Sequence, residues 1–582
     1  MLNDFFTAKA NDNSSTSGQP QWKQGNVILL LLFAAVALFT FSNTASLRNI
    51  EGEAALTQLL AGKNTAFYCD GHEIYRQAPG TIFLCRQMDM IFDFNSEMPL
   101  WVLRLFPALC SLGTVWLCYC MGKHLHSHRC GMAAGWLMTG SCGFLYWGRT
   151  AGAVSAGGFF ALWAVWMLYG KKLSRWSFQR YCGLFMLLLF SFFYSSIPMV
   201  ILILLLVTPK FFRRNFRKQH LNIRMAAAMF CAVICGALIV AITFGVPVNS
   251  GKEAWNIFCT ILGNWGQHHV DDMLANFNHR LHLSNMFNLP LLALPWLLYS
   301  IAAIAALIKC QRLPLRANRM LYGVMIAAAL SIVLPVLRWQ HAYLLLPLVM
   351  VFTALGFESK YSSNFKWISL CDLIFRPLVI LLAALLLALP LTAPLWQELL
   401  AVQPPLWLLI LLPASGIIAL AILLRGRVAP REFTRWSGVK LKPGITIVAM
   451  TILTASLFMF GQPLLSCYRT DREFWLQSRQ IMAKNDTDVL IYCGGTPDMD
   501  TLYYLNDMEI KTAANRQELA MLLKQLSGKK IMLTVKGRNR EFPMPANAKL
   551  FLREKAPLAI LGTSLTDRHE LWALKATLSP LR

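Results

Sequence analysis

Two carboxylates follow the first long apolar run of the chain. The run covers Val27–Ser42, and Glu51 and Glu53 lie a few residues beyond it, in the polar segment Arg48–Leu60. A carboxylate at the end of such a run can serve as a general base or can hold a cation. Both acids could equally be solvated loop residues. The spacing alone leaves the two interpretations open.

A second group consists of cationic and hydroxyl-bearing residues at the ends of apolar runs. Arg149 follows one run, and Arg338, His341 and Tyr343 stand together before another. Guanidinium groups in such places suit bidentate capture of phosphate. The alternative is that they reach toward lipid headgroups. Arg104 lies about one turn inside an apolar run, so we expect it to face protein or a cavity.

The densest polar cluster of the chain lies between two later apolar runs. Its core is Gln267–Asp272, with His268 and His269 at the centre. Histidine and aspartate are ligands of divalent metals. Adjacent histidines and aspartates are not an established ligand pattern, however, and a hydrated loop is the simpler interpretation. His268 and His269 are therefore the candidates for a metal site, and the sequence implies no certain cofactor.

The elements that carry these residues must be membrane helices. The chain has 582 residues, of which 56% are hydrophobic and only 14% are charged, whereas soluble domains carry roughly 25% charge. The net charge of +25 would indicate nucleic acid in a soluble protein. Here the basic residues concentrate in short loops between apolar runs, as orientation signals do. We therefore expect no nucleic-acid partner.

The apolar runs have the length that crosses a bilayer as helix. The stretch 181–208 has Ser195, Ser196 and Pro198 in its middle, which favours two short helices with a break. With that stretch counted twice there are thirteen predicted spans: 27–42, 99–121, 130–147, 151–170, two in 181–208, 223–247, 288–308, 319–336, 341–357, 377–394, 405–424 and 444–462.

The distribution of basic residues supports this count. With the N-terminus cytoplasmic, basic clusters at 171–180, 210–218, 309–319 and 425–442 all fall inside. If 181–208 were one span, the cluster at 210–218 would fall outside and break the positive-inside rule. The prediction is thus a disordered cytoplasmic tail over 1–26 and a transmembrane domain over 27–462. Long outside loops cover 44–98 and 248–287.

The last 120 residues, 463–582, are more polar and long enough for a small domain. Asp488–Cys493 and Lys530–Val535 read as buried strands, and Arg516–Leu526 reads as an amphipathic helix. Strand, helix and strand in this order predict an α/β domain. Because thirteen spans separate it from a cytoplasmic N-terminus, we expect it outside the membrane.

The order of these features resembles the bacterial PMT-type GT-C glycosyltransferases, the family that includes lipid A aminoarabinose transferase and relatives of the protein O-mannosyltransferases. Arg48–Leu60 takes the place of the family's acidic first-loop motif, and Ile74–Pro79 (IYRQAP) resembles its Y-x-E-K-P-P stretch. The other matching segments are Arg104–Leu109 (RLFPAL), Gly148-Arg149, Asn288–Tyr299 (NLPLLALPWLLY) and Arg338–Leu348 (RWQHAYLLLPL).

The resemblance implies a polytopic α-helical membrane protein of the GT-C type with about 13 transmembrane helices and a small C-terminal α/β domain outside the membrane. It also implies an inverting glycosyltransferase in the bacterial inner membrane. The donor would be a polyprenyl-phosphate sugar, and the acceptor a lipid A-like lipid, a glycan or a protein. Glu51 or Glu53 would act as base. Arg76, Gln77, Arg149, Arg338, His341 and Tyr343 would bind the donor phosphate.

The sequence departs from the family pattern at several of these places. Glutamate stands where the family has its first-loop aspartate, and Gln77 stands where it has lysine. The family's second acid falls near Val154 or Ser155 and is absent. These departures keep two alternatives open: a non-catalytic subunit for envelope assembly, and a flippase for lipid-linked sugars.

Overall fold

The computed structural model describes residues 20–40, 68–69, 72–73, 80, 100–150, 154–170, 178–194, 203, 206, 231, 234–235, 289–310, 313–333, 342–357, 366–392, 406–429, 433–434, 437, 441–469, 472–493, 505, 509–526, 528–536, 548–553 and 569–574. Apolar helices make up the part before residue 470, and a mixed sheet with two helices makes up the part after it.

The helices of the first part form one bundle around a continuous apolar core. Their bounds are α1 Pro20–Phe39, α2 Leu100–Leu125, α3 His128–Thr139, α4 Cys142–Gly148, α5 Val154–Gly170, α6 Phe178–Tyr194, α7 Leu297–Cys310, α8 Leu315–Val333, α9 Leu345–Gly356, α10 Lys366–Ala388, α11 Leu406–Val428 and α12 Leu441–Arg469. A two-residue antiparallel ladder, β1 Tyr68–Cys69 with β2 His72–Glu73, lies between α1 and α2.

The burial of the helices separates a centre from a rim. Every residue of α9 is buried, as expected for a helix that is apolar on all sides and packed on all sides. By contrast, α10 and α11 present large apolar side chains outward, among them Leu373 at 68% exposure and Leu406 at 74%. Such a surface is stable only against lipid tails or another apolar partner.

Four helical stretches in the described residues are long and apolar enough to cross a membrane: Trp101–Leu125, Ile368–Thr392, Leu406–Gly426 and Pro443–Gly461. Six shorter apolar helices accompany them: Gln24–Phe39, Val154–Tyr169, Phe178–Tyr194, Leu297–Lys309, Ala317–Leu330 and Leu345–Gly356. The predicted span 223–247 and the loop 248–287 fall almost entirely outside the described residues. The count of thirteen therefore stays a prediction.

Several predicted boundaries differ from the structure. The predicted span 130–147 is two helices, because Gly140 ends α3 and the Ser141 side chain caps the start of α4. The first helix begins at Pro20, inside the predicted disordered tail, with proline at a first helical position that it favours. The helix α6 ends at Tyr194, next to the predicted break at Ser195 and Ser196.

The second part begins with α13, Arg472–Lys484. Its strands are β3 Val489–Cys493, β4 Glu509–Ala513, β5 Ile531–Lys536, β6 Ala548–Arg553 and β7 His569–Leu574, with α14 Arg516–Gln525 between β4 and β5. The sheet order is β4-β3-β5-β7-β6. The pairs of β3 with β4 and β5 are parallel, and the pairs involving β7 are antiparallel.

Alternation along the central strands explains how the sheet packs. Ile491 and Cys493 of β3 and Leu533 of β5 point to one face, where they join Leu519 of α14 in an apolar cluster. The N-terminus of α14 is closed by a reciprocal cap. The Asn515 side chain accepts from the Glu518 amide, while the Glu518 carboxylate accepts from the Ala514 amide. The predicted strands at 488–493 and 530–535 and the helix at 516–526 correspond to β3, β5 and α14.

Candidate active site at one end of the helical bundle

The ends of five helices meet at one end of the bundle, which we call the loop end. This end holds the C-termini of α1, α4 and α6 and the N-termini of α2 and α5. Two contacts place them together: Arg149 with α1, and Phe106 of α2 with Tyr194 of α6. The predicted outside loop 44–98 joins α1 to α2 at this end. It carries Glu51 and Glu53, both outside the described residues.

Arg149 is the C-cap residue of α4, and its guanidinium reaches α1. Nη1 donates to the carbonyl oxygen of Ala37 at 2.6 Å, and Nη2 donates to that of Thr40 at 2.9 Å. The last carbonyls of a helix lack partners within the helix, and a cation is favourable there. Arg149 is only 1% exposed. Its guanidinium is thus used to close the C-terminal end of α1.

Tyr343 precedes α9 and is 0% exposed. Its hydroxyl faces Ser111 and Thr114 of α2. Thr114 donates to the Cys110 carbonyl at 3.0 Å, as a helical threonine commonly does. The Tyr343 and Ser111 hydroxyls are buried beside each other, but neither makes a hydrogen bond of good geometry within the described residues. These four residues, Ser111, Thr114, Arg149 and Tyr343, are called the loop-end cluster below.

Two glycines let the loop-end cluster close. A Cβ on Gly148 would stand 2.6 Å from Leu38 Cδ2 and 2.9 Å from Ser111 Oγ. A Cβ on Gly158 of α5 would stand 2.9 Å from Tyr343 Cδ1. All three distances are shorter than a real Cβ atom allows. The side chains of α1, α2 and Tyr343 therefore approach the backbones of α4 and α5 directly.

The start of α5 extends this region. Ser155 is buried, and its hydroxyl has no hydrogen-bond partner among the described residues. Ala156 packs with Cys110 and Tyr194 in a small apolar cluster. Gly80, which follows the IYRQAP segment, lies against the Tyr194 ring, with 2.9 Å from its virtual Cβ to Cδ1. The α2, α5 and α6 ends thus share one packed wall.

A second polar cluster joins α7, α10 and α12. Asp372 of α10 accepts from the Tyr299 hydroxyl at 3.1 Å, from the Thr446 hydroxyl at 2.7 Å and from Arg376 Nη2 at 2.6 Å. The predicted span 377–394 begins after these residues. The helix itself begins at Lys366, and Asp372 and Arg376 form an ion pair about one turn apart within it. We call Tyr299, Asp372, Arg376 and Thr446 the Asp372 cluster.

Most predicted site residues fall outside the described part of the chain. These are Glu51, Glu53, Arg76, Gln77, His268, His269, Arg338 and His341. Arg149 and Tyr343 are described: the Arg149 guanidinium lies against the end of α1, and the Tyr343 hydroxyl faces Ser111 of α2. Within the described ranges, no three His, Cys, Asp or Glu side chains come together as a metal would require.

Ser111 and Thr114 are not among the residues predicted from the sequence, and Ser155 is named there only as a position near which the family's second acid falls. A signal for the first two exists: Arg104, Ser111 and Thr114 are spaced by seven and three residues in an apolar helix. That spacing places them on one face. A polar stripe inside a span usually faces the interior of a bundle. Ser155 stands in the place where the resemblance led us to look for an acid, and nothing but its position marks it.

Comparison with known proteins adds the family context. Residues 76–239 match the family described as dolichyl-phosphate-mannose-protein mannosyltransferase, PMT_2. The fold is similar to that of ArnT from Cupriavidus metallidurans bound to undecaprenyl phosphate. That match has a TM-score of 0.61 at 13% identity, and covers 96% of this chain and 99% of ArnT. The predicted resemblance to the PMT-type GT-C family is confirmed.

The apo structure of the same ArnT matches equally, with a TM-score of 0.59, 12% identity and the same coverage. A search of the curated proteins finds no matching sequence. The likeness to ArnT runs through nearly the whole chain, so the GT-C fold accounts for the sheet region as well as the bundle. The chain is an integral membrane protein, as its long apolar helices indicate.

Proposed function

We propose that this protein transfers a sugar from a polyprenyl-phosphate carrier to an acceptor on the outer face of the bacterial inner membrane. The observation that supports the proposal most is the GT-C fold shared from end to end with ArnT, a protein whose structure contains undecaprenyl phosphate. The PMT_2 match over residues 76–239 points to the same chemistry. The acceptor is a lipid A-like lipid, a glycan or a protein.

The reaction in this proposal is a single displacement with inversion. An acceptor hydroxyl attacks C1 of the sugar while the bond between C1 and the phosphate oxygen breaks. Polyprenyl phosphate leaves with the electron pair of that bond. Glu51, or Glu53 in its place, takes the proton of the attacking hydroxyl. One carboxylate thus becomes protonated for each sugar transferred.

The leaving phosphate gains negative charge as the bond breaks, so donors aimed at it lower the barrier. Arg76, Gln77, Arg338, His341 and Tyr343 are proposed for this task. Tyr343 is the one of these five that lies within the described residues. It is buried, and its hydroxyl faces Ser111 of α2.

The proposal is tested by turnover of a panel of polyprenyl-phosphate sugars by the purified protein in lipid nanodiscs. Released polyprenyl phosphate is measured with membrane extract as acceptor. Wild type is compared with Glu51→Gln and Glu53→Gln, and with Glu73→Gln as a control from the same predicted loop. We expect one of the first two variants to lose about 10²- to 10⁴-fold, the usual contribution of a general base.

Each alternative has its own result. If no donor is consumed by wild type, the transferase proposal is wrong, and co-purification of partners would favour the assembly subunit. Movement of labelled lipid-linked sugar between the leaflets without release of polyprenyl phosphate would favour the flippase. If all three glutamate variants are as active as wild type, the protein is still a transferase, but neither Glu51 nor Glu53 is its base.

A further inference from the structure

The turn between α2 and α3, residues 123–129, carries only basic and neutral side chains (KHLHSHR). Across residues 98–252 the sequence contains neither Asp nor Glu. Among the described residues, no carboxylate forms an ion pair with Lys123 or Arg129. The positive charge of this turn is therefore not neutralised by the part of the protein that the structure describes. The exposed side chains of the turn are those of Lys123, His124, His126 and Arg129.

Close packing holds the α2–α3 turn in one shape. A Cβ on Gly122 of α2 would stand 2.8 Å from the Cα of Gly131 of α3, so the two helices touch backbone to backbone. The Tyr119 hydroxyl and His128 Nδ1 are 3.0 Å apart across the turn, and the Ser127 side chain caps the start of α3. An anion bound here would order side chains only, which keeps the entropic cost of binding low.

The two permanent cations of the turn start close to each other. A Cβ on Gly131 would stand 3.1 Å from the amide nitrogen of Lys123, and Arg129 lies two residues before Gly131. The Lys123 ammonium is 5.9 Å from the centre of the Tyr119 ring. Since both side chains are long and exposed, they can reach a single phosphate group from two sides.

The turn lies at the level of the lipid headgroups. The N-terminus of α2 is at the loop end, so the turn is at the opposite end of the bundle. The helix α2 has 26 residues and is about 39 Å long at about 1.5 Å per residue, whereas the hydrocarbon core of a bilayer is about 30 Å thick. The exposed Trp101 at its start suits one membrane interface. The last residues of α2 then extend beyond the hydrocarbon of the other leaflet.

We propose that the α2–α3 turn is a binding site for the headgroup of an anionic phospholipid. Lys123 and Arg129 pair with the phosphodiester, and His124 and His126 donate hydrogen bonds to it. Charge complementarity and the depth of the turn favour this occupant, because phosphodiesters are the anions that the headgroup layer presents at this level. An orientation signal needs only net charge, whereas a binding site needs these cations in this place. The site is remote from the loop end and does not depend on sugar transfer.

The test measures binding of radiolabelled phosphatidylglycerol to the purified full chain in micelles of a zwitterionic detergent, by equilibrium gel filtration. Wild type is compared with the double variant Lys123→Gln/Arg129→Gln. The matched control is Lys309→Gln/Arg425→Gln, which removes two exposed cations from other basic clusters. Each cation near an anionic surface contributes about fivefold to affinity, so Kd should rise about 10- to 30-fold in the first variant. In the control it should stay within about twofold.

Three results would overturn the proposal. Equal losses in the two double variants would mean that net charge, and not this turn, governs binding. Phosphatidylcholine that binds as tightly as phosphatidylglycerol would mean that the apolar surface alone retains lipid. Displacement of phosphatidylglycerol by an equal concentration of inorganic phosphate would assign the turn to a soluble anion. If the double variant does not fold, Lys123→Gln and Arg129→Gln singly should each raise Kd about fivefold.

Hydrogen exchange locates the bound lipid. Amide exchange in a peptide that covers residues 120–131 is compared between nanodiscs of phosphatidylcholine and nanodiscs of an equimolar mixture with phosphatidylglycerol. We expect the mixture to slow exchange at the turn in wild type and in the Lys309→Gln/Arg425→Gln control, but not in Lys123→Gln/Arg129→Gln. Slower exchange at another basic cluster, with an unchanged rate at the turn, would place the lipid elsewhere and overturn the proposal.

Discussion

The loop-end cluster and the Asp372 cluster both bury polar side chains among apolar helices, yet they satisfy those side chains differently. In the Asp372 cluster, one carboxylate accepts three hydrogen bonds, from Tyr299, Arg376 and Thr446. In the loop-end cluster, the Tyr343 and Ser111 hydroxyls face each other without a hydrogen bond of good geometry within the described residues.

The difference indicates different purposes. A satisfied carboxylate that ties three helices together contributes to stability and rigidity. Buried hydroxyls without partners cost free energy, and native proteins keep them mainly where they are needed for function. Both clusters contain a tyrosine and an arginine. Substitutions of the same kind in the two places should therefore have opposite effects on stability and on turnover.

The largest effect on stability is expected for Asp372→Ala. The substitution removes the acceptor of three hydrogen bonds and leaves Arg376 without its counter-charge. Loss of one partner of a buried ion pair costs about 3–5 kcal/mol. The Arg376 side chain is 33% exposed and hydrogen bonds between membrane helices average below 1 kcal/mol, so we expect about 2–3 kcal/mol. Thermal unfolding in detergent measures it.

Two results would contradict that interpretation of the Asp372 cluster. One is a thermal midpoint equal to that of the control Glu509→Ala, which removes an exposed carboxylate paired with Lys511 and Lys529. The other is a strong loss of kcat in Asp372→Ala protein that is still folded. The second result would make the cluster part of the active site rather than a stabilising junction.

The next effect concerns turnover, and compares Tyr343→Phe with Tyr299→Phe. A hydrogen bond to a charged group contributes about 1.5–3 kcal/mol, so Tyr343→Phe should lower kcat/KM about 10- to 100-fold. Its stability should be unchanged or higher, because the lost hydroxyl has no partner among the described residues. Tyr299→Phe should show normal turnover and a lower thermal midpoint. If both variants lose stability and keep normal turnover, Tyr343 is not part of the active site.

The sequence predicts the parts of this arrangement that depend on local patterns. The length of their apolar runs predicts α2, α10 and α12 as membrane spans. The short apolar segments at 488–493 and 530–535 predict β3 and β5. Arg149 and Tyr343 were selected by residue type and by position at the ends of apolar runs. The structure buries both side chains. The order of motifs predicted the resemblance to the PMT-type GT-C glycosyltransferases.

The rest depends on contacts between distant segments. Asp372 lies before the predicted span 377–394, and its partner Thr446 stands 74 residues away. The direction of the Arg149 guanidinium depends on the end of α1, 109 residues earlier. Strands β4, β6 and β7 are short and partly polar. No local pattern separates them from loops.

A smaller effect is expected for Gly158→Ala, which tests the packing beneath Tyr343. A Cβ at this position meets Tyr343 Cδ1 at 2.9 Å, so the ring must shift by a few tenths of an ångström. Overpacking of this kind costs about 1–3 kcal/mol, and we expect the lower half of that range together with a several-fold loss of kcat. Gly183→Ala on α6 is the matched control.

The control is informative because a Cβ at Gly183 meets only Met167 Cε, at 3.6 Å. This is an ordinary contact with a flexible side chain. Alanine also favours the helix over glycine by about 0.5–1 kcal/mol. Gly183→Ala should therefore be neutral or stabilising, with normal turnover. If Gly158→Ala lowers stability but keeps full turnover, the Tyr343 ring position does not control the reaction.

The smallest expected effect is a pH dependence of stability that comes from Cys493 in the sheet. Its thiol is surrounded by apolar side chains, whereas the Asp372 carboxylate accepts three hydrogen bonds. Burial among Ile491, Leu519 and Leu533 raises the pKa of the Cys493 thiol from 9.0 to about 12. The native state therefore keeps its proton when the unfolded state has lost it. Stability from this group is complete below pH 9 and decreases as pH rises from 9 toward 12.

Between pH 8.0 and 9.5 the expected loss is about 1 kcal/mol. Pulse proteolysis in a urea series measures it on the full chain, from the midpoint at which fragments covering 489–574 become cleavable. Cys493→Ala should have a lower midpoint at pH 8.0, because it leaves a small cavity, but a smaller shift between the two pH values. An equal shift in both proteins would assign the alkaline sensitivity to other groups. It would also mean that the apolar face of β3 admits water.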